Sequence, residues 1–299
     1  MYDVVVYLSS LNKQEPGRKV ESLTAFADGA RAVGANVLVE TRYIHRPAKL
    51  AVILGWPSPL PVSTNIKFRQ EIVNTQQQHH NHTMGIDANC FKFVDHQSKY
   101  LRYGIDGEFY NTGEFANANS NNDKWNQISK EFNLTLKDWK TTGDYILFLV
   151  QREGGWGMKG TNTLAWVKKK IEDIRKNSDL PIRLRPHPGK VTDLKSLVKP
   201  GITISDSVNV PIVDELQNAK AALVFNSSSG VPTILEGVSL WVDDQGSTCW
   251  DVANKDISQF NNPVFFDRTR WIQELAGCHW TDNESRQGLI YKKFLPYLT

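Results

Sequence analysis

The chain alternates short apolar runs with longer amphipathic stretches. Residues 3–8, Asp-Val-Val-Val-Tyr-Leu, predict a first buried strand, and a helical pattern over 18–33 follows, closed by Gly34. Apolar runs at 36–40 and 50–54 predict two more strands. This β-α-β rhythm predicts a parallel, doubly wound sheet. A helix is expected over 66–78, strands near 84–86 and 91–94, a polar loop over 117–122 and a helix over 125–132. The rhythm restarts at Asp144. A strongly apolar strand at 145–150 leads into a glycine-rich loop and a helix over 162–176. Strands at 181–185, 202–204, 222–225 and 240–242 alternate with helices at 213–219 and 231–237, and helices over 268–278 and 284–298 end the chain. The fold class predicted is α/β: two Rossmann-like domains, residues 1–143 and 144–299, facing each other across a cleft. Ligands of such folds sit at the carboxyl ends of the strands.

Composition narrows the picture. The 299 residues are 40% hydrophobic, enough to bury substantial cores. No apolar run approaches the roughly 20 residues of a membrane span. The apolar start lacks a preceding basic region, so it reads as a strand rather than a leader. Cys90, Cys249 and Cys278 are far apart, without disulfide or metal spacing, and a reduced, cytoplasmic setting is expected. Adjacent histidines point in different directions on any element, so His79, His80 and His82 read as a surface polar loop and no metal is expected. The net charge of +3 is too small to indicate nucleic-acid binding by itself. Two basic stretches stand out, Arg42-Tyr-Ile-His-Arg-Pro-Ala-Lys49 and Lys168-Lys-Lys170, the second of which also fits a solvated helix face.

Three constellations carry chemistry, all after predicted strands of the second half. In Phe225-Asn-Ser-Ser-Ser-Gly-Val-Pro-Thr-Ile-Leu-Glu236, a strand runs into Ser227, Ser228, Ser229 and Gly230 and then a helix. Free N–H groups at a helix start suit a phosphate, Gly230 permits its close approach, and Glu236 suits ribose hydroxyls. An ordinary serine N-cap is the alternative. In Arg183-Leu-Arg185-Pro-His187-Pro, alternation puts Arg183 and Arg185 on one face beside His187, as a diphosphate with developing charge requires; a rigid loop with exposed arginines is the alternative. In Gln151-Arg152-Glu-Gly-Gly-Trp-Gly, the glycines, Gly155 among them, permit tight backbone approach, and Arg152 is within reach of a phosphate or sugar; a plain glycine loop is the alternative. Trp156 in that loop is placed to stack on a sugar or base. Asp87 and Asp106 are the candidate catalytic bases, with turn-forming aspartates as the alternative.

The order Arg-x-His-Pro, then Asn-Ser-Ser-Ser-Gly, then Glu resembles the donor domain of glycosyltransferases with two facing Rossmann domains, the GT-B fold. Asp106-Gly-Glu resembles the acidic-glycine signature of capsule-type members. Tyr100-Leu-Arg-Tyr103, the 151–158 loop, Arg185-Pro-His-Pro188, Asn226-Ser-Ser228 and His279-Trp280 with Glu284 and Gly288 look like bacteriophage-type transferases that modify hydroxymethylated DNA bases. The resemblance spans about residues 80–295. It implies a nucleotide-sugar donor, most simply a UDP-sugar, with Glu236 on the ribose and Ser227, Ser228, Arg185 and His187 on the diphosphate. It implies no required cofactor, a terminal helix crossing back to the N-terminal domain, and double-stranded DNA carrying 5-hydroxymethylcytosine as acceptor. A polysaccharide or small-glycan acceptor, a nucleotide-sugar epimerase and a non-catalytic binding module are the competing readings.

Overall fold

The computed structural model describes residues 1–11, 17–58, 63–118, 120–153, 156–189 and 193–298. In chain order the strands are β1 (Tyr2–Tyr7), β2 (Val37–Glu40), β3 (Ala48–Leu54), β4 (His82–Ala88), β5 (Tyr100–Ile105), β6 (Tyr145–Leu149), β7 (Ile182–Arg185), β8 (Ile202–Ile204), β9 (Ala219–Val224), β10 (Ser239–Val242) and β11 (His279–Thr281). The helices are α1 (Gly17–Ala32), α2 (Thr64–Gln78), α3 (Asn122–Phe132), α4 (Thr163–Arg175), α5 (Ile212–Gln217), α6 (Gly230–Leu235), α7 (Thr269–Gly277), α8 (Asp282–Arg286) and α9 (Leu289–Phe294). The chain divides into two compact units, residues 1–125 with 273–299, and residues 126–272. The boundary expected at 143/144 therefore falls inside the second unit. No helix among the described residues is long and apolar enough to cross a membrane.

The first unit holds a six-stranded sheet ordered β11-β5-β4-β3-β1-β2. Its pairings through β2, β1, β3 and β4 are parallel, but β5 and β11 run antiparallel. The sheet is thus mixed, not the fully parallel sheet expected. Residues 91–94 are a turn rather than a strand. Asn89 donates to Asp95 (2.9 Å) and to the Tyr100 carbonyl (2.7 Å), and Asp95 accepts from the amides of Lys99 and Tyr100. Within the turn the Val94 and Asp95 amides both return to the Phe91 carbonyl, which uses locally the groups a strand would offer to a neighbour. Likewise, the single helix expected over 284–298 is broken. Gly288 adopts φ 74°, and a Cβ there would lie 2.5 Å from Val33, so the chain turns at the one residue that tolerates both. The core joins Val4, Val6, Phe26, Tyr103, Ile290 and Phe294, sealing α1 and the chain's end onto the sheet.

The second unit is a parallel five-stranded sheet, β10-β9-β6-β7-β8. Both faces of its central strand, Tyr-Ile-Leu-Phe-Leu, are buried, as a parallel sheet covered by helices requires. Strand order runs outward from β6 through β7 to β8, and separately from β9 to β10. The switch point therefore lies between β6 and β9, where open α/β sheets form their ligand crevice.

Candidate donor site and the placement of the expected residues

At that switch point the two strand ends are tied to each other. Gln151, just after β6, and Asn226, just after β9, exchange two hydrogen bonds: Gln151 Nε2 donates to Asn226 Oδ1 (2.9 Å), and the Asn226 amide donates to Gln151 Oε1 (3.0 Å). Asn226 Nδ2 also donates to the Gly157 carbonyl (2.7 Å) and to Asp244 (3.1 Å), which Lys159 neutralises at 2.8 Å. Burial would raise the Asp244 pKa, but hydrogen bonds from Lys159, Asn226 and Gly246 outweigh it and hold the carboxylate ionised. Sequence reasoning did not single out Gln151, Asn226 or Asp244 as site residues. The available signal was a polar amide directly after each of two apolar strands.

This network presents the serine loop. Ser229 donates both its amide (3.2 Å) and its hydroxyl (2.7 Å) to Ser227 Oγ. The Gly230 and Val231 amides return to the carbonyls of Ser227 and Ser228. The helix-start amides expected to meet a phosphate are thus already used. No serine side chain caps α6, so the ordinary N-cap alternative does not describe it either. The amides of Ser227 and Ser228 have no acceptor among the described residues, and Ser228 is exposed. Gly230 also differs from expectation: a Cβ there would meet Leu240 at 2.9 Å and Cys249 at 3.0 Å. It permits close packing of α6 and not the approach of an anion.

Glu236 lies just past the end of α6, about 10 Å from Ser229 at 1.5 Å rise per residue. Its carboxylate takes Lys137 Nζ at 2.5 Å. The carbonyls at that helix end are satisfied by the 137–140 segment and by Arg268, which bonds the Ile234 and Lys137 carbonyls. His187 follows β7, two strand spacings from β9 and so about 10 Å away across the sheet edge. The Gly189 amide donates to its Nδ1 (3.0 Å), so the neutral ring carries its proton on Nε2. Arg152, after β6, is exposed and has no ion-pair partner among the described residues. Gly155 and the Trp156 side chain lie outside what the structure describes.

The two arginines of β7 stand elsewhere. Arg185 is 8% exposed, ion-pairs with the buried Glu215 of α5, and donates to the carbonyls of Ser207 (3.3 Å) and Val210 (2.8 Å). Arg183 stacks over Tyr145 at 3.9 Å, with Glu215 also 3.9 Å away. Alternation does place both on one face, as expected, but that face meets α5. Their charges are spent on Glu215 and on carbonyls, not on the strand-end crevice.

In the first unit the two candidate bases part company. Asp87 lies near the carboxyl end of β4 and accepts from Arg102 at 3.1 Å, beside Trp56 and Phe115. Asp106 follows the antiparallel β5, which carries it back to the start of β4. There it accepts from the Thr83 amide (2.9 Å) and meets His82 Nδ1 at 2.6 Å. Four residues of strand, about 14 Å, separate the two sites. Only Asp87 sits at the edge where the parallel strands end. The His79–His82 stretch yields this one pairing, and no group of three metal-ligating side chains gathers among the described residues.

His279 of the resemblance motif is internal. Fully buried in β11, it accepts from the Cys90 amide at Nε2 (2.9 Å) and contacts the Leu275 carbonyl through Nδ1 (2.6 Å). Burial drives its pKa down to about 3, and burial lowers His45 as well. A histidine depressed in the folded state stabilises fully above its unfolded pKa of about 6.5 and loses that contribution as pH falls. Glu40, held near 2 chiefly by Arg42, adds to the loss only below the ordinary glutamate range. Between pH 6.5 and 4.5, stability should therefore fall by up to about 1.4 kcal/mol per pH unit from His279. Urea unfolding across that window should show the slope, and His279→Gln should flatten it relative to its own stability at pH 7.

No protein-family model matches the chain, and no curated protein sequence is significantly similar to it. Solved structures do resemble it. The Thermosulfurimonas dismutans KpsC β-Kdo 2,4 transferase superposes with a TM-score of 0.58 at 10% identity, covering 93% of this chain and 90% of that one. The KpsC β-Kdo 2,7 transferase of the same organism gives 0.54 at 11% identity, covering 97% and 99%. At such identities the likeness is one of fold: this chain shares the α/β scaffold of those two Kdo transferases.

Proposed function

We propose that this protein is a glycosyltransferase that moves a sugar from a nucleotide-sugar donor to a hydroxyl acceptor. The observation that carries the reading is the serine loop at the switch point of the second unit's sheet, with two uncommitted amides, three hydroxyl groups and His187 along the same strand-end edge. The acceptor oxygen attacks the anomeric carbon, the bond from that carbon to the donor phosphate breaks, and the nucleoside phosphate leaves with the negative charge. Ser227 and Ser228 donate to that phosphate, His187 Nε2–H donates to it as charge develops, and Glu236 accepts from ribose hydroxyls. Asp87 takes the acceptor proton. A UDP-sugar is the first donor to try, and no metal enters these steps.

Two acceptors are in view. Motif resemblance points to 5-hydroxymethylcytosine in double-stranded DNA. The scaffold shared with two Kdo transferases supports a glycan, and so does the pairing of basic side chains in the first unit: Arg42 and Arg46 both serve Glu40, and Lys49 serves Asp3. These two carboxylates offset two of the three positive charges in the basic stretch a duplex would need, so the glycan reading is preferred. Incubation with nucleotide sugars, an activated Kdo donor included, against hydroxymethylated DNA and acidic or neutral oligosaccharides, read by mass spectrometry, separates them. A sugar mass on the oligosaccharide alone supports the glycan, and one on the nucleoside supports DNA. Donor isomerised without acceptor, or no turnover with any pair, overturns transfer. Asp87→Asn should lower kcat by about 100-fold or more, while Asp106→Asn should stay within about threefold.

A further inference from the structure

The second unit contains a hollow that the serine loop does not use. In the β9–β10 register Ala221 lies beside Ser239, and Trp241 follows on the same face of the edge strand β10. Two small side chains next to a large one leave space, and the loop through Phe260 and Phe265 closes over it. The result is a half-open cavity of about 210 Å³, room for one small ring. It lies toward the amino end of β9. Five residues of extended chain, about 17 Å, separate Ala221 from Asn226.

Its chemistry is one-sided. Trp241 and Phe260 form an aromatic wall, with ring centroids 4.8 Å apart, and the half-exposed Phe265 packs on Trp139. The Trp241 indole N–H is buried and has no acceptor among the described residues. Lys140 uses two protons on the carbonyls of Leu216 and Gln217, and Lys220 uses one on Thr141, leaving ammonium donors at the rim. Burial lowers the Lys140 pKa, as for an ammonium short of solvation. Among the described residues no carboxylate lines the cavity. Apolar ring faces and two ammonium groups together select a ring with C–H faces and a negative charge.

We propose that this cavity is a second binding site that takes a saccharide ring bearing one anionic group. The ring's C–H face lies against Phe265 and the aromatic floor beneath it, and the anionic group meets Lys140 and Lys220. In a protein acting on an acidic glycan, the site holds a unit remote from the reacting one, but its existence does not depend on that activity.

The test is a titration of the whole protein, carrying ¹⁵N-labelled tryptophan, with glucuronic acid, glucose 6-phosphate, glucose and benzoate. The Trp241 indole signal is assigned from Trp241→Phe. A saturable shift of that signal by glucuronic acid or glucose 6-phosphate, with glucose at least about tenfold weaker, is expected. Which of the two anions binds tighter tells carboxylate from phosphate. Lys220→Gln should weaken the anion by about fivefold or more, and Ala221→Leu should abolish binding by filling the hollow. Melting curves check that both variants fold, and Lys220→Gln alone suffices if Ala221→Leu does not. No shift with either anion, or benzoate binding as tightly as glucuronic acid, overturns the proposal.

Discussion

Glu215→Ala is expected to destabilise the protein by about 3–5 kcal/mol, the largest loss from any single polar substitution considered. Glu215 is 3% exposed, and its carboxylate is the counter-ion of the equally buried Arg185, with Arg183 nearby. Removing it leaves a guanidinium inside the protein with only two carbonyls for company. The substitution should lower the melting temperature by roughly 6–20 °C, at about 2–4 °C per kcal/mol for a domain of this size. Replacing both partners, Arg185→Met with Glu215→Leu, should recover most of the loss, because a pair of apolar side chains leaves no charge unmet. Were Arg185 instead a diphosphate ligand, Arg185→Met would abolish nucleotide binding while Glu215→Ala cost less than about 1 kcal/mol. Urea unfolding of the three variants with a nucleotide titration of each distinguishes the two roles.

Asn226→Leu is expected to cost about 2–4 kcal/mol and to weaken nucleoside diphosphate binding by more than about tenfold. The side chain makes three of the bonds that hold the loops after β6, β9 and β10 together. Its loss takes the acceptor from Gln151 Nε2 and removes one donor from Asp244. The serine loop begins at the next residue, so its amides lose their setting even though none of its own atoms is changed. Calorimetric titration with UDP should show the weakening. Full affinity in a folded Asn226→Leu protein would mean that the loop positions itself without the network.

Much of this architecture was legible in the chain. The Val-Val-Val and Tyr-Ile-Leu-Phe-Leu runs mark central strands because burial on both faces demands unbroken apolar sequence. The serine loop and His187 were found because they directly follow expected strands. What escaped depends on partners distant in sequence. Arg185 reads as a phosphate ligand until Glu215, thirty residues on, is seen to occupy it. Gly230 reads as a phosphate glycine until Leu240 and Cys249 are seen against it. Asp106 is turned to the wrong edge by the antiparallel course of β5, which its sequence does not announce. The three-residue β11 is too short to carry a period of its own, and it pairs with β5 from the far end of the chain.

The central claim, that the second unit's serine loop holds the donor phosphate, is tested most directly by following backbone amide resonances while a nucleoside diphosphate is added. The account predicts large, saturable downfield shifts at Ser227 and Ser228, the two amides without acceptors, and little change at Gly230 and Val231, whose amides are already bonded. Shifts that bypass the 227–229 loop and gather at Arg183 and Arg185 would contradict it.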